Sequence, residues 1–183
     1  MSEARPAAFL DRDGVLNVDH GYVHRLDQLD LIADAAEAVR LLNEAGFLAI
    51  VVTNQSGVAR GLYGEDDVKR FNTALRQQFA AAGARIDAVY YCPHHPQGTV
   101  ARYAIACGCR KPKPGLLEQA ARDFAIDRTR SFMIGDKDDD REAAAAFGIR
   151  GIKFDAATEQ LVDVTRRAIA GTPDRPAGVS RRE

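Results

Sequence analysis

Ala7-Ala8-Phe9-Leu10-Asp11-Arg12-Asp13-Gly14 is the stretch from which the fold is read. Four apolar residues run into two carboxylates one residue apart, and a glycine then lets the backbone turn. The run has the length and composition of a short buried strand. Alternate side chains of an extended segment share a face, so Asp11 and Asp13 are expected to converge. Carboxylates that converge beyond the carboxyl end of a strand suit a divalent cation and a phosphate. In isolation the same pattern also fits a capped turn with two solvated acids. The rest of the chain decides between them.

Downstream, apolar runs and amphipathic stretches alternate. Asp34 to Ala45 has helical periodicity and closes on Gly46. Phe47 to Val52 is continuously apolar, as expected of a strand covered on both faces, and runs into Thr53-Asn54-Gln55-Ser56-Gly57. A longer helix is expected over Glu65–Ala82, a strand over Asp87–Tyr91, and a helix from Pro114 to about Phe124. Ser131–Ile134 reads as a strand ending in Gly135-Asp136. A helix over Asp139–Phe147, a strand over Gly151–Phe154 and a helix over Thr158–Ala170 complete the pattern. Strands and helices in this order imply an α/β fold, an open doubly wound parallel sheet with right-handed crossovers. One domain is expected over residues 1–170. The stretch 171–183, rich in Gly, Pro and Arg, is expected to be disordered.

Composition narrows the functional classes. A chain of 183 residues can bury a core without disulfides. Twenty-five Lys and Arg against 26 Asp and Glu leave no basic excess, so nucleic acid is not an expected partner. No apolar run approaches the ~20 residues needed to span a bilayer, and no membrane partner is expected. The first six residues carry Glu3 and Arg5 and do not read as a signal peptide, so a cytoplasmic location follows. The three cysteines, Cys92, Cys107 and Cys109, cannot all pair, and Cys107-Gly108-Cys109 is too tight for an easy disulfide. With His94 and His95 alongside, they read as metal ligands, although three free buried thiols would also fit.

Asp11, Asp13, Thr53 and Asp136 all fall at carboxyl ends of expected strands, which in a doubly wound sheet line one crevice. Asp11-Arg-Asp-Gly-Val-Leu, Thr53-Asn-Gln-Ser, Lys111 and Gly135-Asp136-Lys137 resemble the four ordered motifs of the haloacid dehalogenase (HAD) superfamily of phosphohydrolases. Asp19-His-Gly-Tyr-Val-His24, Cys92-Pro-His-His-Pro96 and Cys107-Gly-Cys-Arg-Lys-Pro-Lys-Pro-Gly115 further resemble its histidinol-phosphatase-related branch, which acts on small phosphate esters including sugar bisphosphates. The resemblance implies a Rossmann-like HAD fold with a small zinc-binding loop (92–112) and no large cap. It also implies a Mg²⁺-dependent phosphomonoester hydrolase and a small sugar bisphosphate as partner. A monomer is expected.

The roles follow in chemical terms. Asp11 is the expected nucleophile, forming an aspartyl-phosphate. Mg²⁺ would be held by the Asp11 and Asp136 carboxylates and the Asp13 backbone carbonyl. The Asp13 side chain is then free to carry a proton to the leaving oxygen and from the incoming water. Thr53 and Lys111 would donate to the transferring phosphoryl oxygens, and Lys137 could hold the nucleophile through an ion pair. The resemblance assigns Asp19, His20, Gly21, Tyr22, Thr53, Asn54, Gln55, Ser56, Arg110 and Lys111 to the substrate, with Arg110 reaching a second phosphate. Asp140 is either an outer-shell acid or, like Asp138 and Asp139, part of a solvated helix start. Cys92, His94, Cys107 and Cys109 would form a closed structural Zn²⁺ site. The spacing admits His95 as readily as His94; the resemblance selects His94. A non-catalytic zinc-loop module would need none of Asp11, Asp13 or Asp136. A phosphomutase would need a larger cap than these connections supply.

Overall fold

The computed structural model describes residues 3–173. Five strands form one parallel sheet: β1 (Ala7–Leu10), β2 (Leu48–Asn54), β3 (Ala88–Cys92), β4 (Phe132–Gly135) and β5 (Arg150–Lys153), in the order β3-β2-β1-β4-β5. The helices are α1 (Ala35–Glu44), α2 (Glu65–Ala81), α3 (Gly115–Asp123), α4 (Asp138–Phe147) and α5 (Leu161–Ala170). The order steps outward from β1 to β3, then reverses to β4 and β5. The switch point therefore lies between β1 and β4, which pair through Ala8–Phe132, Phe9–Met133 and Leu10–Ile134.

Alternation within each strand divides the core. Ala8, Leu10, Ala49, Val51, Phe132 and Ile134 pack with residues of α1, α2 and α5 on one face. Ala7, Phe9, Ile50, Val52 and Met133 pack with residues of α3 and α4 on the other. Both faces are covered, which is why the strands carry no polar alternation. On the second face Phe147 of α4 meets Phe9 edge-on, with ring centroids 5.8 Å apart.

Boundaries shift for identifiable reasons. β2 continues two residues beyond the apolar run because Thr53 and Asn54 still pair with Tyr91 and Cys92 of β3. α5 begins three residues later than its periodicity suggests. Asp155 folds the preceding segment into a turn, accepting from Ala157 N and Thr158 N, and Asp34 accepts from Val162 N at the true start. Short 3₁₀ turns at Leu26–Gln28 and Arg128–Arg130 carry no readable signal. Among the described residues, connections alone overlie the carboxyl edge, with no separate cap, and no helix is long and apolar enough to cross a membrane. The stretch expected to be disordered lies, from residue 174 on, outside the described residues.

Candidate active site

The switch point gathers the polar motifs. Asp11 follows β1 and extends the ladder through Asp11 N to Ile134 O (3.0 Å). Thr53 and Asn54 end β2, and Asp136 follows β4. A cavity of about 250 Å³ opens there, lined by Asp11, Asp13, Asp19, Gly21, Tyr22, Thr53, Asn54, Gln55, Ser56, Tyr63, Lys111, Lys137, Asp139 and Asp140. Five carboxylates face two lysines in it. Of the residues expected at the site, His20, Arg110 and Asp136 lie outside this lining. His20 Nε2 is 3.8 Å from Asp30 Oδ2, Arg110 borders the adjacent cavity, and Asp136 borders a side cavity with Gly14.

At the floor, Lys111 is 2 % exposed and its ammonium meets three acceptors: Asp11 Oδ1 at 2.9 Å, Asp140 Oδ1 at 2.6 Å and Val52 O at 2.8 Å. The contact to Val52 O is a hydrogen bond, and the two carboxylates meet the ammonium as ion pairs. Asn54 fixes the lysine backbone in both directions, donating to Lys111 O and accepting from Lys111 N, each at 3.1 Å. Burial pushes the Asp11 carboxyl up to about 7, against the opposing pull of Lys111. Burial likewise raises Asp136.

The three acids Asp11, Asp136 and Asp140 present oxygens within 4.8 Å of one another. Asp136 Oδ1 is buried with no hydrogen-bond partner among the described residues. An orphaned carboxylate oxygen beside two other buried carboxylates is a donor set that fits Mg²⁺. Glycine is required on both sides of this cluster. Gly14 has φ +87°, and a Cβ there would lie 2.6 Å from Asp136 Oδ2. A Cβ on Gly135 would lie 2.2 Å from Asp140 Cβ.

Asp13 is held, not free. Its Oδ1 accepts from Arg12 Nε (3.0 Å) and Asn17 Nδ2 (2.9 Å), and its Oδ2 accepts from Arg12 Nη2 (3.0 Å) and Gln55 Nε2 (3.1 Å). Arg12 is fully buried, sits over the Phe71 ring at 4.4 Å and donates to Val23 O and Asn72 Oδ1. Removing this guanidinium leaves the Asp13 carboxylate without its charge partner. Arg12→Leu is expected to lower unfolding stability by about 3–5 kcal/mol, read as a fall in urea midpoint at constant m-value.

A chain of hydrogen bonds sets the direction of the Thr53 proton. Tyr63 OH donates to Gln55 Oε1 (2.8 Å), which turns Gln55 Nε2 toward Asp13 and toward Thr53 Oγ1 (2.9 Å). The threonine oxygen accepts there, so its own proton is available to a ligand in the cavity. His24 stacks on Tyr63 at 4.5 Å and backs this chain.

The segment between β3 and α3 draws a second cluster together. Cys92 Sγ lies 3.5 Å from Cys107 Sγ and 3.7 Å from His94 Nδ1, and Cys109 Sγ lies 3.0 Å, 3.3 Å and 3.4 Å from Cys92 Sγ, Cys107 Sγ and His94 Nδ1. All four ligand atoms lie within 4.8 Å of one another, and no cysteine is in a disulfide. Three sulfurs and one imidazole nitrogen at mutual near-contact fit a tetrahedral Zn²⁺. The His95 ring points elsewhere, with Nε2 3.3 Å from Arg60 Nη2. Tyr103 ties the segment to α2 by donating to Glu65 Oε1 (2.5 Å), and Tyr91 donates to Glu65 Oε2 (2.5 Å).

One expectation is corrected by this geometry. Lys137 does not pair with Asp11: its Nζ lies 3.4 Å from Asp19 Oδ2 and 3.9 Å from Asp136 Oδ2, and Lys111 makes the pair with Asp11 instead. The reason is direction, since Lys137 leaves β4 on the exposed side of Asp136. The Asp13 carboxylate, expected to be left free of the metal to carry a proton, is gripped by four donors, two of them from Arg12. Arg12 itself was assigned no role from the sequence, and no pattern in its neighbours marks it. Asp140 carried a readable signal: Asp140, Ala143, Ala144 and Phe147 fall on one helical stripe, and all four are buried. Asp138 and Asp139 lie off that stripe.

A doubly wound parallel sheet with Asp11 beyond β1, Thr53 ending β2, a buried lysine on the floor and Asp136 beyond β4 defines a hydrolase of the HAD class. A HAD-hydrolase-like family model matches residues 108–176. The D-glycero-beta-D-manno-heptose-1,7-bisphosphate 7-phosphatase of Rhodopseudomonas palustris is 44% identical over 172 residues, 91% of this chain and 96% of that protein. That of Photorhabdus laumondii is 40% identical over 188 residues, covering 99% of this chain and 100% of that protein. The chain belongs to the D-glycero-beta-D-manno-heptose-1,7-bisphosphate 7-phosphatase family. Among solved structures, a D,D-heptose 1,7-bisphosphate phosphatase from B. bronchiseptica, complexed with magnesium and phosphate, superposes with a TM-score of 0.74 at 26% identity, covering 90% of this chain and 98% of that one.

Proposed function

We propose that this protein removes the 7-phosphate of D-glycero-β-D-manno-heptose 1,7-bisphosphate by an aspartyl-phosphate mechanism, in the nucleotide-heptose supply to lipopolysaccharide. The observation that carries the reading is Asp11 at the β1–β4 switch point, buried against Lys111 and facing the cavity. Asp11 attacks phosphorus, the bond from phosphorus to the sugar oxygen breaks, and Asp13 delivers a proton to that oxygen. Asp13 then accepts a proton from the water that cleaves the aspartyl-phosphate. Four donors fix its orientation at the cavity wall, and one of them must give way when an oxygen takes up the proton. Thr53 donates its outward proton to a phosphoryl oxygen. Lys111 offers its ammonium to another phosphoryl oxygen as charge develops there.

Asp11, Asp136 and the Asp13 carbonyl would hold Mg²⁺, with Asp140 behind them; the ion supplies charge neutralisation between carboxylates and phosphate. Cys92, His94, Cys107 and Cys109 would hold structural Zn²⁺, whose four protein ligands leave no position for substrate. Asp19, Gly21 and Tyr22 line the cavity together with Thr53 and Ser56, and the sugar would lie against them. Arg110 would reach the 1-phosphate.

The test is phosphate release with Mg²⁺ from the heptose bisphosphate, histidinol phosphate and simple sugar monophosphates. The expected result is a kcat/KM for the bisphosphate roughly 100-fold above the others. Preference for histidinol phosphate would overturn the substrate, and inactivity of the metal-loaded protein on every ester would overturn the enzyme.

A further inference from the structure

Two guanidinium nitrogens beside the active site, Arg60 Nε and Arg110 Nη1, are buried without a hydrogen-bond partner among the described residues. The ring of His95 stands with them. Its Nδ1 accepts from Gln97 N (3.1 Å), while its Nε2 lies 3.3 Å from Arg60 Nη2, which is a donor. A neutral imidazole has one donor and one acceptor nitrogen, so it cannot accept from both neighbours. If Nδ1 accepts, Nε2–H faces the Arg60 N–H. A protonated ring would not remove the conflict, because an imidazolium donates from both nitrogens. The backbone that carries the ring is fixed, because His95 N donates to Tyr103 O (3.1 Å) and Gly98 N donates to His95 O (2.9 Å).

Arg60, His95 and Arg110 thus carry donors for which the described residues supply no acceptor. An oxyanion seated beside the His95 ring would supply an acceptor to Nε2–H and to the neighbouring guanidiniums. The place is connected to the chemistry. His95 and Arg110 line a cavity of about 240 Å³ that shares Lys111 and Asp139 with the active-site cavity.

We propose that Arg60 and His95 are specificity-determining residues that, with Arg110, seat the non-reacting phosphate of the substrate. This rests on the bisphosphate reading above. Arg60 comes from the turn after β2, which also carries Ser56. His95 and Arg110 come from the Cys/His segment. The anion therefore bridges the two segments that the two ends of the substrate contact.

The experiment compares the wild type with Arg60→Gln, Arg60→Lys and His95→Ala on the heptose 1,7-bisphosphate and on the 7-monophosphate, with zinc content and thermal midpoint measured for each. The expected result is a KM for the bisphosphate raised about 10-fold or more in Arg60→Gln and His95→Ala, the scale of a hydrogen bond to a charged group. Their kcat should stay within about threefold, their KM for the monophosphate should not change, and Arg60→Lys should recover part of the loss. Equal rises for both substrates would assign the pair to holding the loops and overturn the inference, as would unchanged KM in variants of an active wild type. A wild type that hydrolyses neither ester overturns the proposed function and this inference with it.

Discussion

Asp11→Asn is expected to abolish phosphate release while leaving the fold as stable as before. Asp11 is 6 % exposed, and its Oδ1 accepts from Arg12 N (2.8 Å) as well as meeting Lys111. An asparagine keeps an oxygen for both donors and has nearly the same volume, so packing is undisturbed. It removes one of two buried carboxylates that share a single lysine, which relieves the repulsion between Asp11 and Asp140. It cannot form an aspartyl-phosphate, so kcat should fall by about 10⁴-fold or more, the scale on which loss of a nucleophile registers. The measurements are single-turnover phosphate release and a thermal melt. Activity within tenfold of wild type would remove Asp11 from the chemistry. A collapse in melting temperature would mean that its charge is structural.

Cys109→Ser should produce the second large effect, at a residue that touches no substrate. Cys109 stands within 3.4 Å of the three other members of the Cys/His cluster, and Arg110 and Lys111 follow it directly in the chain. The segment has few apolar residues with which to order itself, and its Ile105 is exposed. Its remaining ties include the Tyr103–Glu65 bond, the bonds from Thr99 N and Val100 N to Ala59 O, and the grip of Asn54 on Lys111. Those ties should keep Lys111 near its place but not in register. A displacement of about 1 Å in a catalytic group costs on the order of 10²-fold, and that is the expected loss in kcat/KM. Bound zinc should fall from one per chain to none, with far-UV circular dichroism little changed because the five helices and the sheet lie outside the segment between β3 and α3. Full activity in a zinc-free variant would sink this reading.

The sheet was legible because burial on both faces leaves apolar runs that are hard to mistake, as in Phe47–Val52, and because glycines punctuate the helix ends at Gly46, Gly83 and Gly148. Strand-end placement of Asp11, Thr53 and Asp136 followed from those runs alone. The partners of those residues were less legible. Lys111 and Asp11 are a hundred positions apart, and only tertiary structure shows that the lysine is committed to three acceptors. Arg12 illustrates the limit most directly. A charged residue between two acids reads as solvent-facing, yet it is fully buried because Asp13, Asn72, Val23 O and the Phe71 ring together satisfy it. Such satisfaction depends on groups from three separate segments, and no local pattern encodes it. Lys137 was misdirected for the complementary reason: adjacency to Asp136 in the chain says nothing about which side of the crevice its side chain leaves.

The charge of the cavity has a consequence for how ligands come and go. Five carboxylates against two lysines make the walls net negative, so a free phosphate approaches against the field of the protein, and a free divalent cation approaches with it. Each ion improves the site for the other, and by linkage the two effects are equal in size. Product phosphate then holds the protein only as firmly as the cation concentration allows. Release and inhibition become properties of the surrounding salt composition as much as of the protein itself.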